Sequence, residues 1–264
     1  MFNNYVCKNE RAKVKTSQTD LVAVEPSDCL GPTRLLDLDD SRLRLRAKSL
    51  TQLAQTDVQK ALRVHDFVKS LPFGCVGGFD HVSAAQVLKR GRGDCHTKGT
   101  LFVALLRSAG VPARLRFVSL PAAFLWGIVD LGNSVITHAV GEVYLQGHWV
   151  QTDTYVTDSV LEAHASLWLK QQQRVLGYGI HAQASRFWDG QQDAHGQYHA
   201  ADASSQPVND WGVSHDPEHF YSSKAHPELH RSWLTRAKWV VAAGVINRRT
   251  RQLRSAAPAA AWHG

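Results

Sequence analysis

Residues 91–110 read GRGDCHTKGTLFVALLRSAG. Leu101, Phe102, Leu105, Leu106 and Ala109 recur at helical spacing, which predicts a helix with one apolar face turned to a core. Gly91 and Gly93 loosen the approach, and Asp94 is a good N-cap residue. Gly110, followed by Pro112, ends the helix. Cys95 therefore falls in the first turn, where unpaired N–H groups and the helix dipole favour a thiolate. A lone cysteine there reads in two ways, as a small buried hydrophobe or as a nucleophile, and the downstream sequence bears on the choice.

Upstream, Ser41 to Leu53 and Val58 to Leu71 read as helices, the second clearly amphipathic. Pro72 to Gly78 is a loop, and Ser83 to Leu88 a short helix or turn. After Pro112, the stretch ARLRFVSL (113–120) alternates and reads as a strand. Pro121 to Ser134, with Phe124, Leu125 and Trp126, is a long connection that either lines a cleft or folds into a small packed helix. Val135 to Leu145 and His148 to Asp153 are two β-rich runs joined by Gln146-Gly147, a hairpin signal.

That hairpin has a chemical consequence. With a two-residue loop, Leu145 faces His148 and Val140 faces Asp153. His138, Val140 and Glu142 share one face, and Asp153 joins it, diagonal to His138 on the neighbouring strand. Any even loop keeps this register, and a three-residue loop breaks it. An imidazole beside a carboxylate is the orienting half of a nucleophilic triad: the carboxylate fixes the tautomer and the ring takes the thiol proton. His138 alone reads equally as a strand histidine in a structural hydrogen bond. With Cys95 at a helix start and Asp153 on the hairpin, the catalytic reading gains weight.

The runs SAAQVLKRGRGDC, LFVALLRSAGVPARL and THAVGEVYLQGHWVQTD, in that order and separation, resemble the core of the transglutaminase-like superfamily from about Val58 to Asp158. The resemblance implies a papain-like α+β core, with the nucleophile helix packed on an antiparallel sheet and helical segments flanking it. It implies Cys95 as nucleophile, His138 as general base and acid, and Asp153 as orienting carboxylate. The implied chemistry is acyl transfer on a protein or peptide-like amide through a Cys95 thioester. Water as acceptor makes an amidase or peptidase, and an amine acceptor makes a transferase. A non-catalytic interaction module that keeps the fold is the rival. Two positions depart from the family pattern: Val140 stands where a tryptophan is common, and Asp153-Thr154-Tyr155 where Asp-Pro-Thr is common. His96, one residue past Cys95, points about 100° away from it on a helix and reads as a surface or cap residue.

The expected organisation is an N-terminal arm (1–50), a catalytic core (51–160) and a C-terminal extension packed on it (161–264). In the extension, Val160 to Val175 and Pro227 to Arg254 read as helices. Gly177 to Pro217 reads as irregular, and its Trp188, Tyr198 and Trp211 argue for packing onto the core, covering or narrowing the cleft. The chain has 264 residues and is 44% hydrophobic, enough for one good core. Net charge is +7, gathered at Lys8 to Lys15 and Arg248 to Arg254. Without a nucleic-acid-binding signature these runs read as solvated tails. No run is long enough to span a bilayer and no apolar leader opens the chain. Cys7, Cys29, Cys75 and Cys95 form no CxxC pair, so a reducing cytoplasm is expected. The histidine pairs 195/199, 215/219 and 226/230 lack a supporting ligand shell, so neither metal nor cofactor is expected.

Overall fold

The computed structural model describes residues 25–77, 79–223 and 233–256. Residues 1–24 of the N-terminal arm, with Cys7 and the basic run from Lys8 to Lys15, lie outside the described residues, as do His226 and His230. In chain order the main elements are α1 (Ser41–Thr51), α2 (Asp57–Ser70), α3 (Ala84–Arg90), α4 (Cys95–Ser108), β1 (Ala113–Pro121), β2 (Val135–Leu145), β3 (His148–Thr152) and α5 (Ser159–Gln171). Two short strands follow, β4 (Leu176–Gly177) and β5 (Ile180–His181), then β6 (Asn209–Ser214), α6 (Pro217–Tyr221) and α7 (Trp233–Ser255). The fold is α+β: α4 is the central helix, with α1, α2 and α3 against it on one side and β1 and β2 on the other.

The main sheet is antiparallel throughout, in the order β3-β2-β1-β6. Gln146 and Gly147, both at positive φ (51° and 88°), close the two-residue hairpin and pair Leu145 with His148. Positive φ at both central positions matches the right-handed twist of the strands it joins. The long connection after β1 is a short 3-10 turn, Ala122–Leu125, that buries Phe124.

Two expectations need correcting. The central helix is buried all round, every residue from His96 to Arg107 included, because layers cover it on both sides. His96 is therefore no surface or cap residue, and its ring stacks on Phe117. The helix's two long cations are held by backbone carbonyls. Lys98 Nζ donates to Tyr155 O and Val156 O (3.0 and 2.9 Å). Arg107 donates to the carbonyls of Ala113, Gly31 and His215. These bonds supply what a buried cation requires. The second correction is β6, an edge strand on β1 within the stretch read as irregular. Its sequence, NDWGVS, lacks apolar alternation, its Gly212 sits at φ 82°, and the ladder shifts register between Phe117 and Val118.

Glycines set how closely α4 meets the sheet. A Cβ on Gly141 of β2 would lie 2.8 Å from the Phe102 ring and 3.1 Å from Tyr155 Oη. A Cβ on Gly99 of α4 would lie 3.1 Å from Leu115 and 3.3 Å from Tyr155 Oη. The Tyr155 ring fills that junction, stacked on Phe102 at 4.5 Å.

Candidate active site

Cys95 opens α4. Asp94 caps the helix with a full capping box: its carboxylate accepts from the Thr97 N–H (3.0 Å), and Thr97 Oγ1 accepts from the Asp94 N–H (2.9 Å). The box aims the Asp94 side chain at the helix N–H groups rather than at the cysteine, and leaves Cys95 half-buried. The N–H groups of Ala139 on β2 and of His96 favour the thiolate form of this sulfur. The nucleophile candidate thus lies against the strand that carries His138, one residue away.

His138 and Asp153 are both fully buried, and His138 Nε2 lies 2.9 Å from Asp153 Oδ2. β2 and β3 pair in register as far as Gly141–Thr152, and the chain turns at Asp153 just past the end of β3. The second carboxylate oxygen, Oδ1, accepts the Gly196 N–H at 2.6 Å. With both oxygens held, the carboxylate has one orientation, and the imidazole edge it grips is Nε2. His138 Nδ1 is buried and has no hydrogen-bond partner. The structure joins His138 to Asp153 and sets Cys95 beside that strand, without a hydrogen bond from Sγ to Nδ1. Catalytic hydrogen bonds are often long in ligand-free proteins and tighten with substrate bound.

Phe124, from the long connection, meets the His138 ring edge to face at 6.0 Å. Val140, where a tryptophan is common, is buried in a small apolar cluster with Val118, Leu120, Phe124 and Leu176. In the run Asp153-Thr154-Tyr155, Thr154 Oγ1 bonds His65 Nε2 and Thr152 Oγ1, both at 2.8 Å.

Burial pushes the Cys95 thiol well above its ordinary range, and the neighbouring Asp94 carboxylate adds to the rise. The two N–H groups on the sulfur oppose this but are outweighed. The helix start therefore does not leave a resting thiolate, contrary to what its dipole alone predicts. Burial also raises Cys29 and Cys75.

Groups contributed from outside the hairpin and the nucleophile run were not legible as such. The Gly196 N–H is a backbone group and carries no side-chain signature. Of the histidine pairs, His195 stacks on Tyr198 and His199 stacks on His181, which pairs with Asp202. Among the described residues no three metal-ligating side chains gather at one point, and no helix is long and apolar enough to cross a membrane.

Residues 44–154 match the family model of the transglutaminase-like superfamily. Among solved structures, one described as "a Putative Cysteine Protease from Cytophaga hutchinsonii" is 21% identical, with a TM-score of 0.40, over 50% of this chain and 43% of that one. Another, described as "a Putative Protease from Parabacteroides distasonis", is 15% identical, with a TM-score of 0.34, over 45% of this chain and 24% of that one. The chain thus spans less than half the length of either. No curated protein matches it.

Proposed function

Taking residues 44–154 as a transglutaminase-like core, we propose that the protein is a cysteine acyltransferase or amidase acting on peptide-like amides. Cys95 is the nucleophile, His138 the general base and acid, and Asp153 the orienting carboxylate. The observation that carries this reading is the His138–Asp153 pair. It occupies Nε2 and leaves Nδ1 buried and unpartnered on the strand against which the Cys95 sulfur lies.

The steps follow from that arrangement. His138 Nδ1 takes the Cys95 thiol proton as the sulfur attacks the amide carbon, and Asp153 stabilises the imidazolium. The carbonyl oxygen gains the negative charge, for which the Cys95 N–H at the helix start is a donor. The C–N bond breaks, His138 returns the proton to the leaving nitrogen, and the acyl group stays on sulfur as a thioester. His138 then deprotonates the acceptor, water or an amine, whose attack releases Cys95. Residues 51–160 carry this chemistry, and residues 161–264 contribute the clamp on Asp153.

Mass spectrometry after incubation with peptide mixtures, with and without an added primary amine, tests the reading. The expected result is an acyl adduct on Cys95 that is missing in Cys95→Ser and His138→Ala. Loss of ammonia without amine incorporation identifies a hydrolase, and incorporation identifies a transferase. A folded chain that forms no adduct and no product with any peptide is instead a non-catalytic interaction module.

A further inference from the structure

A cavity of about 270 Å³ adjoins the approach to α4, lined by Cys75, Val76, Gly77, Arg90, Arg92 and Asn247. Its walls are built onto the active-site segment. The Gly74 N–H donates to Gly93 O (3.0 Å) and the Gly93 N–H to Pro72 O (3.2 Å), so residues 72–75 run beside the two residues that precede Cys95. Arg90 and Arg92 stand at the cavity, and among the described residues neither guanidinium has a carboxylate partner. Asn247 of α7 reaches in from the opposite side. Its Nδ2 donates to Cys75 O (3.0 Å), which fixes the amide orientation and leaves Oδ1 buried with no partner. Gly74 clears the room, since a Cβ there would lie 2.5 Å from Asn247 Oδ1.

Two unpaired guanidinium groups and one buried acceptor describe a ligand with a carboxylate and an N–H donor. Guanidinium groups bind carboxylates in a planar, bidentate fashion, and a buried acceptor without a donor is costly until one arrives. Two carboxylates, Asp94 and Asp80, act on the Cys75 thiol at the cavity wall; Asp94 is taken up in the helix cap, and burial keeps the thiol itself protonated.

We propose that this cavity is a subsite for an acidic residue of the amide substrate, with Arg90 and Arg92 taking the carboxylate and Asn247 Oδ1 accepting a peptide N–H. Its role as a substrate subsite rests on the function proposed above, but its ligand chemistry is testable without turnover.

Binding is measured by calorimetry on the full chain carrying Cys95→Ser, with three acetylated tripeptides: Ala-Glu-Ala amide, Ala-Ala-Ala with a free C-terminus, and Ala-Ala-Ala amide. At least one carboxylated peptide is expected to bind tenfold or more tighter than the uncharged amide. The tighter one tells a side-chain carboxylate from a chain end. Arg90→Gln/Arg92→Gln removes that preference, whereas Arg248→Gln/Arg251→Gln, elsewhere on the basic C-terminal helix, leaves it. Equal binding of all three peptides, or an unchanged preference in Arg90→Gln/Arg92→Gln, overturns the proposal. So does inorganic phosphate binding as tightly as the carboxylated peptides. In the wild-type chain, the preferred peptide is expected to slow alkylation of Cys95 by iodoacetamide, and to lose that effect in Arg90→Gln/Arg92→Gln. Peptide preference without protection of Cys95 overturns the subsite role alone.

Discussion

The His96 ring ties the nucleophile candidate's helix to the strand of the base: its Nε2 donates to Thr137 O at 3.2 Å. His96 follows Cys95 and Thr137 precedes His138, so one bond links the neighbours of the two groups that must exchange a proton. The ring is further held between Phe117, stacked at 6.0 Å, and Tyr221, edge-on at 5.4 Å. His96→Phe keeps the packing and removes the donor. It is expected to lower kcat/KM by about tenfold to a hundredfold, because small misplacements of reacting groups cost that much, with a thermal midpoint near wild type. An unchanged kcat/KM in a folded His96→Phe protein removes His96 from the positioning of the site.

A second positioning contact comes from far along the chain. The Gly196 N–H on Asp153 Oδ1 is a bond to a charged acceptor, worth about 1.5–3 kcal/mol and hence roughly tenfold to a hundredfold in rate. Gly196→Pro deletes the N–H and is expected to show that loss. Gly196→Ala keeps the N–H and has room, since its Cβ would find its nearest neighbours at 3.6 Å, so it is expected to behave as wild type. Steady-state kinetics on the pair, with circular dichroism to verify folding, separates the N–H from mere bulk.

Lys98 makes stability depend on pH in a direction that can be worked out. Burial lowers its pKa from 10.5 to about 7. Between those values the unfolded chain binds the proton and the folded chain does not, so the Lys98 contribution to stability rises with pH across that window. The full span is on the order of 4 kcal/mol. Lys98→Met, matched in length, compares best with wild type near pH 6–7 and is expected to fall progressively behind toward pH 10. Urea titrations of both proteins at several pH values give the difference directly, and a constant gap across the range contradicts the assignment.

Much of the site was legible because it rests on local rules. Gln146-Gly147 fixes a two-residue hairpin, the hairpin fixes the register, and the register puts His138 beside Asp153. Asp94 as N-cap fixes where α4 begins. What escaped depends on contacts distant in sequence. His96 was misread because periodicity reports one apolar face and cannot show that a second layer covers the other. Strand β6 has no alternation, being set by pairing with β1 rather than by a buried face of its own. The Gly196 clamp is a backbone bond spanning 43 residues, to which a sequence pattern is blind.

Gly141 tests how tightly α4 is seated. Gly141→Ala puts a methyl 2.8 Å from the Phe102 ring, on a strand where neither partner yields cheaply. Overpacking of this kind costs about 1–3 kcal/mol. Phe102→Leu, which removes part of the opposing ring, is expected to recover some of that loss when combined with Gly141→Ala, although alone it is destabilising. Chemical denaturation of the four proteins closes the double-mutant cycle, and strict additivity contradicts the close contact.

Cys95 itself is expected to rest as a thiol. Burial and Asp94 both raise its pKa, so its alkylation by iodoacetamide, followed on the Cys95 peptide, should keep rising beyond pH 9 rather than level off near neutrality. Asp94→Asn separates the two causes. Asparagine caps a helix about as well as aspartate but carries no charge, so the helix start survives while the Asp94 field on the sulfur disappears and that of Asp80 stays. The profile is then expected to move to lower pH. A wild-type profile already flat below pH 7 contradicts the resting thiol and indicates that His138 holds the proton before substrate arrives. If only the Asp94→Asn shift is missing, burial and the Asp80 carboxylate set the thiol without Asp94.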